Sequence, residues 1–152
     1  MASVVPTNAM VQCMAGDLDL NAASALKCTL LKSSYTPNPD HKFMADVSAS
    51  ECDATGFAGG FGGADHKTLT SVTITEDTVN NRAVVDAANP ATFSAIGGAS
   101  NNDLNVLAVY APGTSYADSQ IVALLEFASV FSTNGGDLLV QFDAAGLFYT
   151  QH

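Results

Sequence analysis

The sequence has 152 residues, of which 15 are acidic and 5 are basic, so its formal net charge is −10. Because 47% of the residues are hydrophobic and only 13% are charged, we expect one folded domain over residues 1–152 rather than a disordered chain. Nucleic acid and anionic membranes bind clustered positive charge, which this sequence lacks, so we expect neither as a partner. The scattered basic residues are Lys27, Lys32, Lys42, Lys67 and Arg82.

The N-terminal segment, residues 1–17, predicts the single helix of the chain. Thr7 and Asn8 can cap it, apolar side chains recur at helical spacing over residues 8–15, and Gly16 can end it. No basic region followed by an apolar run opens the sequence, and no apolar run approaches the length of a membrane span. We therefore expect a soluble protein that is made and folded in a cytosol.

The rest of the chain follows the two-residue period of β-strands. Residues 25–32 alternate between two faces and stop before the two prolines of the 35–40 loop. Residues 104–111 are apolar at nearly every position, which predicts a central strand covered on both faces. The remaining predicted strands are a 68–75 and 82–87 hairpin turning at Asn80-Asn81, a 120–131 strand with 137–142 as its hairpin partner, and a last strand at 147–150.

Eight to ten short strands and one short helix define the predicted fold class. We expect an all-β protein, a β-sandwich or jelly roll of antiparallel strands with one short N-terminal helix at residues 1–17. The glycine-rich stretch 56–63 contains Phe57 and Phe61, so we expect an ordered loop with several positive-φ positions rather than a flexible linker.

Two stretches have partial ligand-binding patterns. Residues 63–68 superficially suggest a phosphate loop, but His66 stands where that loop requires glycine before Lys67. Asp17, Asp19 and Asn21 have the spacing of a calcium loop, but its sixth position is Ala22 and its twelfth is Cys28, which cannot supply the required glycine and bidentate carboxylate. The simpler interpretation is that Leu18 and Leu20 point inward and the polar side chains face water.

No catalytic constellation is evident. The three histidines lie in a proline-containing loop (His41), in the glycine-rich loop region (His66) and at the C-terminus (His152), and no nucleophile elbow accompanies them. Loop histidines are usually solvated, so we expect no enzymatic activity and predict no catalytic, cofactor-binding or metal site.

Three cysteines leave at least one thiol unpaired within a monomer. Cys13 and Cys28 fall on apolar faces and resemble small core residues, whereas Cys52 lies between Glu51 and Asp53, whose charges should raise the pKa of its thiol. Buried inert thiols are the favoured interpretation, and a disulfide within or between chains is the alternative.

Several strand-and-turn blocks of the sequence resemble a family of small structural proteins of tailed bacteriophages. The similarity covers about residues 18–150 and includes a strand followed by an SSYTP loop and an F-x-DV segment. A glycine-rich TGFAGG stretch follows, where the family has a similar GTGYTAGG. The blocks are residues 26–41, 43–47, 51–60, 67–70, 83–87, 107–110, 134–140 and 143–148.

The resemblance implies a non-enzymatic virion component. It favours a capsid decoration, or cement, protein on the outer surface of the phage head, made in the host bacterial cytoplasm. The implied partners are the major capsid protein and further copies of the chain, as a trimer. A tail or baseplate fibre module is the alternative. Cys52 replaces a residue that is usually apolar in the family, which supports an inward-facing thiol.

Overall fold

Ten strands and one α-helix make up the computed structural model, which describes residues 2–20 and 26–151. Two short 3₁₀ turns, Met44–Asp46 and Ser48–Ser50, lie between the second and third strands. The elements are β1 Ala2–Val4, α1 Thr7–Ala15, β2 Lys27–Lys32, β3 Lys67–Thr68, β4 Thr73–Asp77, β5 Arg82–Asp86, β6 Phe93–Ile96, β7 Asp103–Ala111, β8 Gln120–Ser132, β9 Gly136–Leu138 and β10 Phe148–Gln151.

The main sheet has five antiparallel strands in the order β1-β8-β7-β2-β3. β7 lies at its centre between β2 and β8, and Val106–Tyr110 are buried, which confirms the predicted central strand. The predicted strands at 25–32 and 120–131 are also confirmed as β2 and β8, although Ala25 lies outside the described residues.

Two layers cover the main sheet, one on each face. One face packs against a three-stranded sheet (β10-β5-β4) and a two-stranded sheet (β6-β9), and these sheets share one apolar core. The other face carries a second cluster that includes Leu31, Val106 and Ile121, covered by Tyr35, Met44 and Val47 of the segment after β2. This arrangement confirms the predicted all-β, sandwich-like fold class.

The predicted helix is confirmed, but its start differs from the expectation. Pro6 is the N-cap residue and no side chain caps the helix, so the predicted capping by Thr7 and Asn8 is wrong. Proline's fixed φ and extended backbone start the helix one residue earlier, which places Thr7 already inside it. Gly16 ends the helix in the left-handed conformation, as predicted.

The predicted strand at 68–75 is divided between two sheets. β3 ends at Thr68 beside β2, whereas β4 begins at Thr73 and pairs with β5. Ser71, with φ of 54°, interrupts the extended backbone between them. The predicted turn at Asn80-Asn81 and the last strand are confirmed, since β4 and β5 form a hairpin with Asn81 at φ 50° and β10 pairs with β5.

The predicted pairing of 137–142 with β8 is wrong. β9 is shorter, Gly136–Leu138, and pairs with β6. Gly135, with φ of 90°, turns the chain and donates its N–H to the Ile96 carbonyl at 2.7 Å, which directs β9 toward β6. Gly97 allows this approach, because a Cβ there would lie 2.7 Å from the backbone nitrogen of Asn134.

The glycine-rich loop is ordered, as predicted. Gly56, Gly60 and Gly62 all have positive φ. The Phe57 ring stacks on Phe93 with centroids 6.3 Å apart, whereas the half-exposed Phe61 and Tyr116 meet in a T-shaped contact. The loop is therefore held at both aromatic positions.

Substitution of Gly97 should test the close approach of β6 and the 134–135 turn. We expect Gly97→Ala to destabilise the protein by about 2–3 kcal/mol, since it adds a backbone clash to the cost of an alanine at positive φ. Gly62→Ala is the control, because its φ is 78° but nothing lies within 4 Å of the added Cβ; it should cost only about 1 kcal/mol. Urea unfolding measures both, and equal losses would show that the contact at Gly97 is unimportant.

Candidate functional site

A buried carboxylate, Glu51, accepts hydrogen bonds from four parts of the chain. Its side chain is 8% exposed. Oε1 lies 2.8 Å from the Thr29 hydroxyl and 2.6 Å from His66 Nε2. Oε2 accepts from the Gly60 N–H and the Tyr116 hydroxyl, each at 2.9 Å. These four donors match the hydrogen-bonding capacity of a carboxylate.

Backbone pairing positions Glu51 beside the main sheet. Glu51 forms an isolated antiparallel bridge with Leu31, and the next residue, Cys52, donates its N–H to the Leu30 carbonyl at 2.9 Å. The second 3₁₀ turn ends immediately before this bridge. This pairing with β2 therefore places the Glu51 carboxylate beside Thr29, which also belongs to β2.

His66 extends the cluster to the centre of the sheet. Its Nδ1 lies 2.6 Å from the hydroxyl of Tyr110 on β7, and the two rings meet edge to face at 79°. The two ring nitrogens of His66 therefore link the Glu51 carboxylate to the Tyr110 hydroxyl. The Glu51 cluster thus comprises the side chains of Thr29, Glu51, His66, Tyr110 and Tyr116 and the N–H of Gly60.

The pKa directions in the cluster follow from burial and hydrogen bonding. Burial opposes the charge of Glu51, but hydrogen bonds from His66, Gly60 and Thr29 outweigh it, so the Glu51 pKa lies below its usual value. Burial and the nearby Glu51 carboxylate raise the pKa of both Tyr110 and Tyr116. Both hydroxyls therefore remain protonated donors.

The cluster connects loops to the main sheet through hydrogen bonds. Its carboxylate is already saturated with donors. The nearby Cys52 thiol is a poor nucleophile, because burial and the charges of Asp53 and Glu51 raise its pKa. No group of three or more His, Cys, Asp or Glu side chains in residues 2–20 and 26–151 could hold a metal ion.

The solvated position expected for His66 is wrong, because its side chain is fully buried. The sequence contained one useful signal: Tyr110 lies in a strand predicted to be covered on both faces, and a buried tyrosine hydroxyl needs a partner. Nothing in the local sequence identified His66 as the partner of Tyr110, or Glu51 as the partner of His66. His41 is only partly buried and its Nδ1 contacts the Tyr35 hydroxyl at 2.8 Å, while His152 lies outside the described residues.

The calcium-like stretch follows the simpler interpretation where the structure describes it. Leu20 is buried and Leu18 packs on the core, whereas Asp17 and Asp19 are exposed. Asn21 and Ala22 lie outside the described residues. The predicted pattern of inward leucines and outward aspartates is therefore confirmed for residues 17–20.

The three cysteines are free thiols. Cys28 and Cys52 are buried, and Cys13 packs partly against the core, as the inert-thiol interpretation expects. Burial raises the pKa of the Cys28 thiol to about 12. Charge also contributes to the raised Cys52 pKa, as predicted, but burial is the largest cause.

Helix α1 exposes an uncharged apolar surface. Ala9 is its buried residue, whereas Met10, Val11 and Met14 are 37%, 50% and 82% exposed. Between this helix and the β4–β5–β10 sheet lies a groove of about 370 Å³. We call it the helix–hairpin groove; Met10, Cys13 and Met14 form one wall, and Ile74, Val85 and Phe148 line the sheet side.

A second apolar surface lies along the C-terminal half of β8. Phe127, Ala128 and Phe131 line it together with Leu138, Leu139 and Val140. Leu139 is 57% exposed, and no residue in 127–132 or 138–142 carries a charge. We call it the β8 surface. It shares no lining residue with the helix–hairpin groove in the described part of the chain.

Comparisons with known proteins give no identification: no family model, no curated protein and no solved structure matches this chain. Among the described residues, no helix has the length and hydropathy needed to cross a membrane.

Replacement of the buried carboxylate should be strongly destabilising. Glu51→Gln removes the charge and turns one acceptor oxygen into a donor, so at least one of its buried donors loses its partner. We expect a loss of about 2–4 kcal/mol in urea unfolding. Glu76→Gln is the matched control, because Glu76 is exposed on β4. A similar midpoint for both variants would contradict the tethering role of Glu51.

The stability of the wild-type protein and that of Glu51→Gln should depend differently on pH. The folded-state Glu51 pKa is lowered, so its charge stabilises the fold above the unfolded pKa of about 4.3, and this contribution is lost as pH falls through the folded pKa. We expect the stability gap between wild type and Glu51→Gln to be largest near neutral pH and to shrink below about pH 4. A gap that stays constant down to acid pH would show that the carboxylate charge is not the cause.

Proposed function

We propose that this protein is a non-enzymatic structural component of a tailed-phage virion. In this proposal it is a capsid decoration, or cement, protein that binds the major capsid protein on the outer surface of the head. The observation that carries the proposal is the pair of separate, uncharged apolar surfaces on a chain of net charge −10. Exposed apolar patches of this kind are typical of protein–protein interaction sites. The sequence resemblance to phage structural proteins supports the same class.

Two surfaces suit a protein that connects neighbours. A cement protein contacts several subunits at once, and its contacts reinforce one another because each raises the local concentration for the next. The chain's acidity suits the outside of a shell, since packaged nucleic acid repels negative charge. The saturated Glu51 cluster agrees with a role that requires no reaction.

We assign different partners to the two surfaces, because a protein that forms a trimer and also binds a shell needs a separate surface for each contact. The residues that line the β8 surface are all uncharged, so two copies can bury them against each other without removing a charge from water. We therefore propose that it forms the homotrimer. The helix–hairpin groove has Glu76 beside it on β4, and it is assigned to the capsid protein.

Oligomeric state tests the first assignment. We expect light scattering of the purified protein to give the mass of a trimer, because a cyclic assembly matches three-fold sites on a shell. Leu139→Glu places a charge on the β8 surface and should yield monomers, whereas Val79→Glu, at an 86% exposed position outside both surfaces, should leave the trimer intact. A monomeric wild-type protein at micromolar concentration would contradict the trimer.

Particle composition tests the proposed function itself. We expect purified virions to contain this protein at a copy number comparable to that of the shell protein, and particles lacking it to lose their DNA at lower temperature. Met14→Glu, which places a charge on the helix–hairpin groove, should reduce occupancy at least about tenfold, and Val79→Glu should not. Few copies, or unchanged particle stability without the protein, would favour the tail-fibre alternative.

A further inference from the structure

The β4 strand is an open sheet edge. It is the outer strand of the β10-β5-β4 sheet, and within the described residues its other edge has no neighbouring strand. Its pairing with β5 is regular from Thr73 to Asp77, with no bulge, proline or lysine in β4. Bulges, prolines and lysines protect sheet edges from additional strands, and β4 has none of them. Its charged residues, Glu76 and Asp77, are acidic, so the edge is a template for a strand that is not acidic.

The helix–hairpin groove lies on one face of the same strand. Ile74, which is 44% exposed, lines the groove, and its cross-strand partner Val85 lies in the groove floor. Met10 and Met14 of α1 form the opposite wall. Methionine side chains adapt to differently shaped apolar partners. An open edge beside an apolar groove is the arrangement by which proteins bind extended peptides: main-chain hydrogen bonds hold the strand, and alternate side chains enter the groove.

Charge determines what kind of strand fits. Glu76 lies two residues after Ile74 and therefore on the same face of β4. Lys32, Lys67 and Arg82 form ion pairs with aspartates of this chain and not with Glu76. A second copy would bring another Glu76 and another net charge of −10 to the edge, which is unfavourable. The complementary partner is basic where it faces Glu76 and apolar where it faces Ile74.

We propose that β4 and the helix–hairpin groove bind an extended polypeptide segment as a fourth strand of the β10-β5-β4 sheet. The segment presents apolar side chains at alternate positions, followed on the same face by lysine or arginine. The inference rests on the proposed adhesive function, since it specifies the chemistry of the partner at one of the two surfaces.

Three synthetic peptides test the recognition pattern on the purified full-length protein. KTVTVTK places two valines and two lysines on one face of a strand. KTTVVTK has the same composition but points its valines to opposite faces, and ETVTVTE reverses the charge. We expect calorimetry to detect binding of KTVTVTK and to show the other two at least about tenfold weaker. Equal affinity for all three peptides would overturn the proposal.

Two further measurements locate the bound peptide. Cys13 lines the groove, so KTVTVTK should slow its alkylation severalfold. Backbone amides of Thr73–Asp77 should gain protection from hydrogen exchange, because an added strand hydrogen-bonds the open edge. Binding without either change would place the peptide elsewhere and overturn the proposal.

A pair of charge variants separates groove recognition from simple charge attraction. Ile74→Lys and Thr75→Lys add the same charge to neighbouring exposed positions, but Ile74 faces the groove and Thr75 points to the opposite face of the strand. We expect Ile74→Lys to weaken KTVTVTK at least about tenfold and Thr75→Lys only about twofold. Circular dichroism confirms that both variants are folded. Equal weakening would reduce the interaction to charge and overturn the proposal.

Two outcomes distinguish this proposal from others. If the wild-type protein self-associates through β4, so that Ile74→Lys removes an oligomer and no peptide binds, the occupant is a second copy and the proposal fails. Failure of KTVTVTK to bind would overturn this inference but would leave the particle experiments above unaffected. Conversely, absence of the protein from virions would remove the proposed function but not measured binding of KTVTVTK.

Discussion

The buried carboxylate of Glu51 is the interaction on which one whole face of the molecule depends. Its donors come from β2, the glycine-rich loop, the approach to β3 and the loop between β7 and β8, so a single side chain holds four segments together. A buried charge without these donors would be strongly unfavourable, and the donors without the charge would be left unpaired. The irregular segments over this face therefore adopt one arrangement, although they contain little regular secondary structure.

The two faces of the main sheet are closed by different physical means. On the Glu51 side, apolar packing of Met44 and Val47 is combined with a polar cluster that fixes loop positions. On the other side, two small sheets and α1 pack mainly through apolar contacts. At the margins of these elements, apolar side chains remain exposed to solvent. The helix–hairpin groove and the β8 surface lie at these margins. One face therefore has loops joined by hydrogen bonds, and the other has exposed apolar edges.

Helix α1 leaves large apolar side chains uncovered in the monomer. Nine uncharged residues are too few to form a stable helix alone in water. The helix is held by Ala9, by the partly buried Cys13 and by the Pro6 carbonyl, which accepts the N–H groups of Ala9 and Met10. Its large apolar side chains nevertheless face solvent. Covering Met10 and Met14 with a partner would bury apolar area that the monomer leaves exposed, which provides a driving force for docking.

The sequence by itself determined the elements whose signal is local. Alternation identified β2 and β8, the continuous apolar run identified β7 as the central strand, and Gly16 identified the end of the helix, because side-chain period and backbone conformational preference act over a few residues. Tertiary structure alone decided the pairing of β9: it joins β6 because the Gly135 turn meets Ile96 and Gly97, residues distant in sequence. It also decided that His66 is buried, since its partners Glu51 and Tyr110 lie 15 and 44 residues away along the chain. Hydrogen-bond partners at such separations leave no local pattern, so only the folded chain shows that these polar groups satisfy one another.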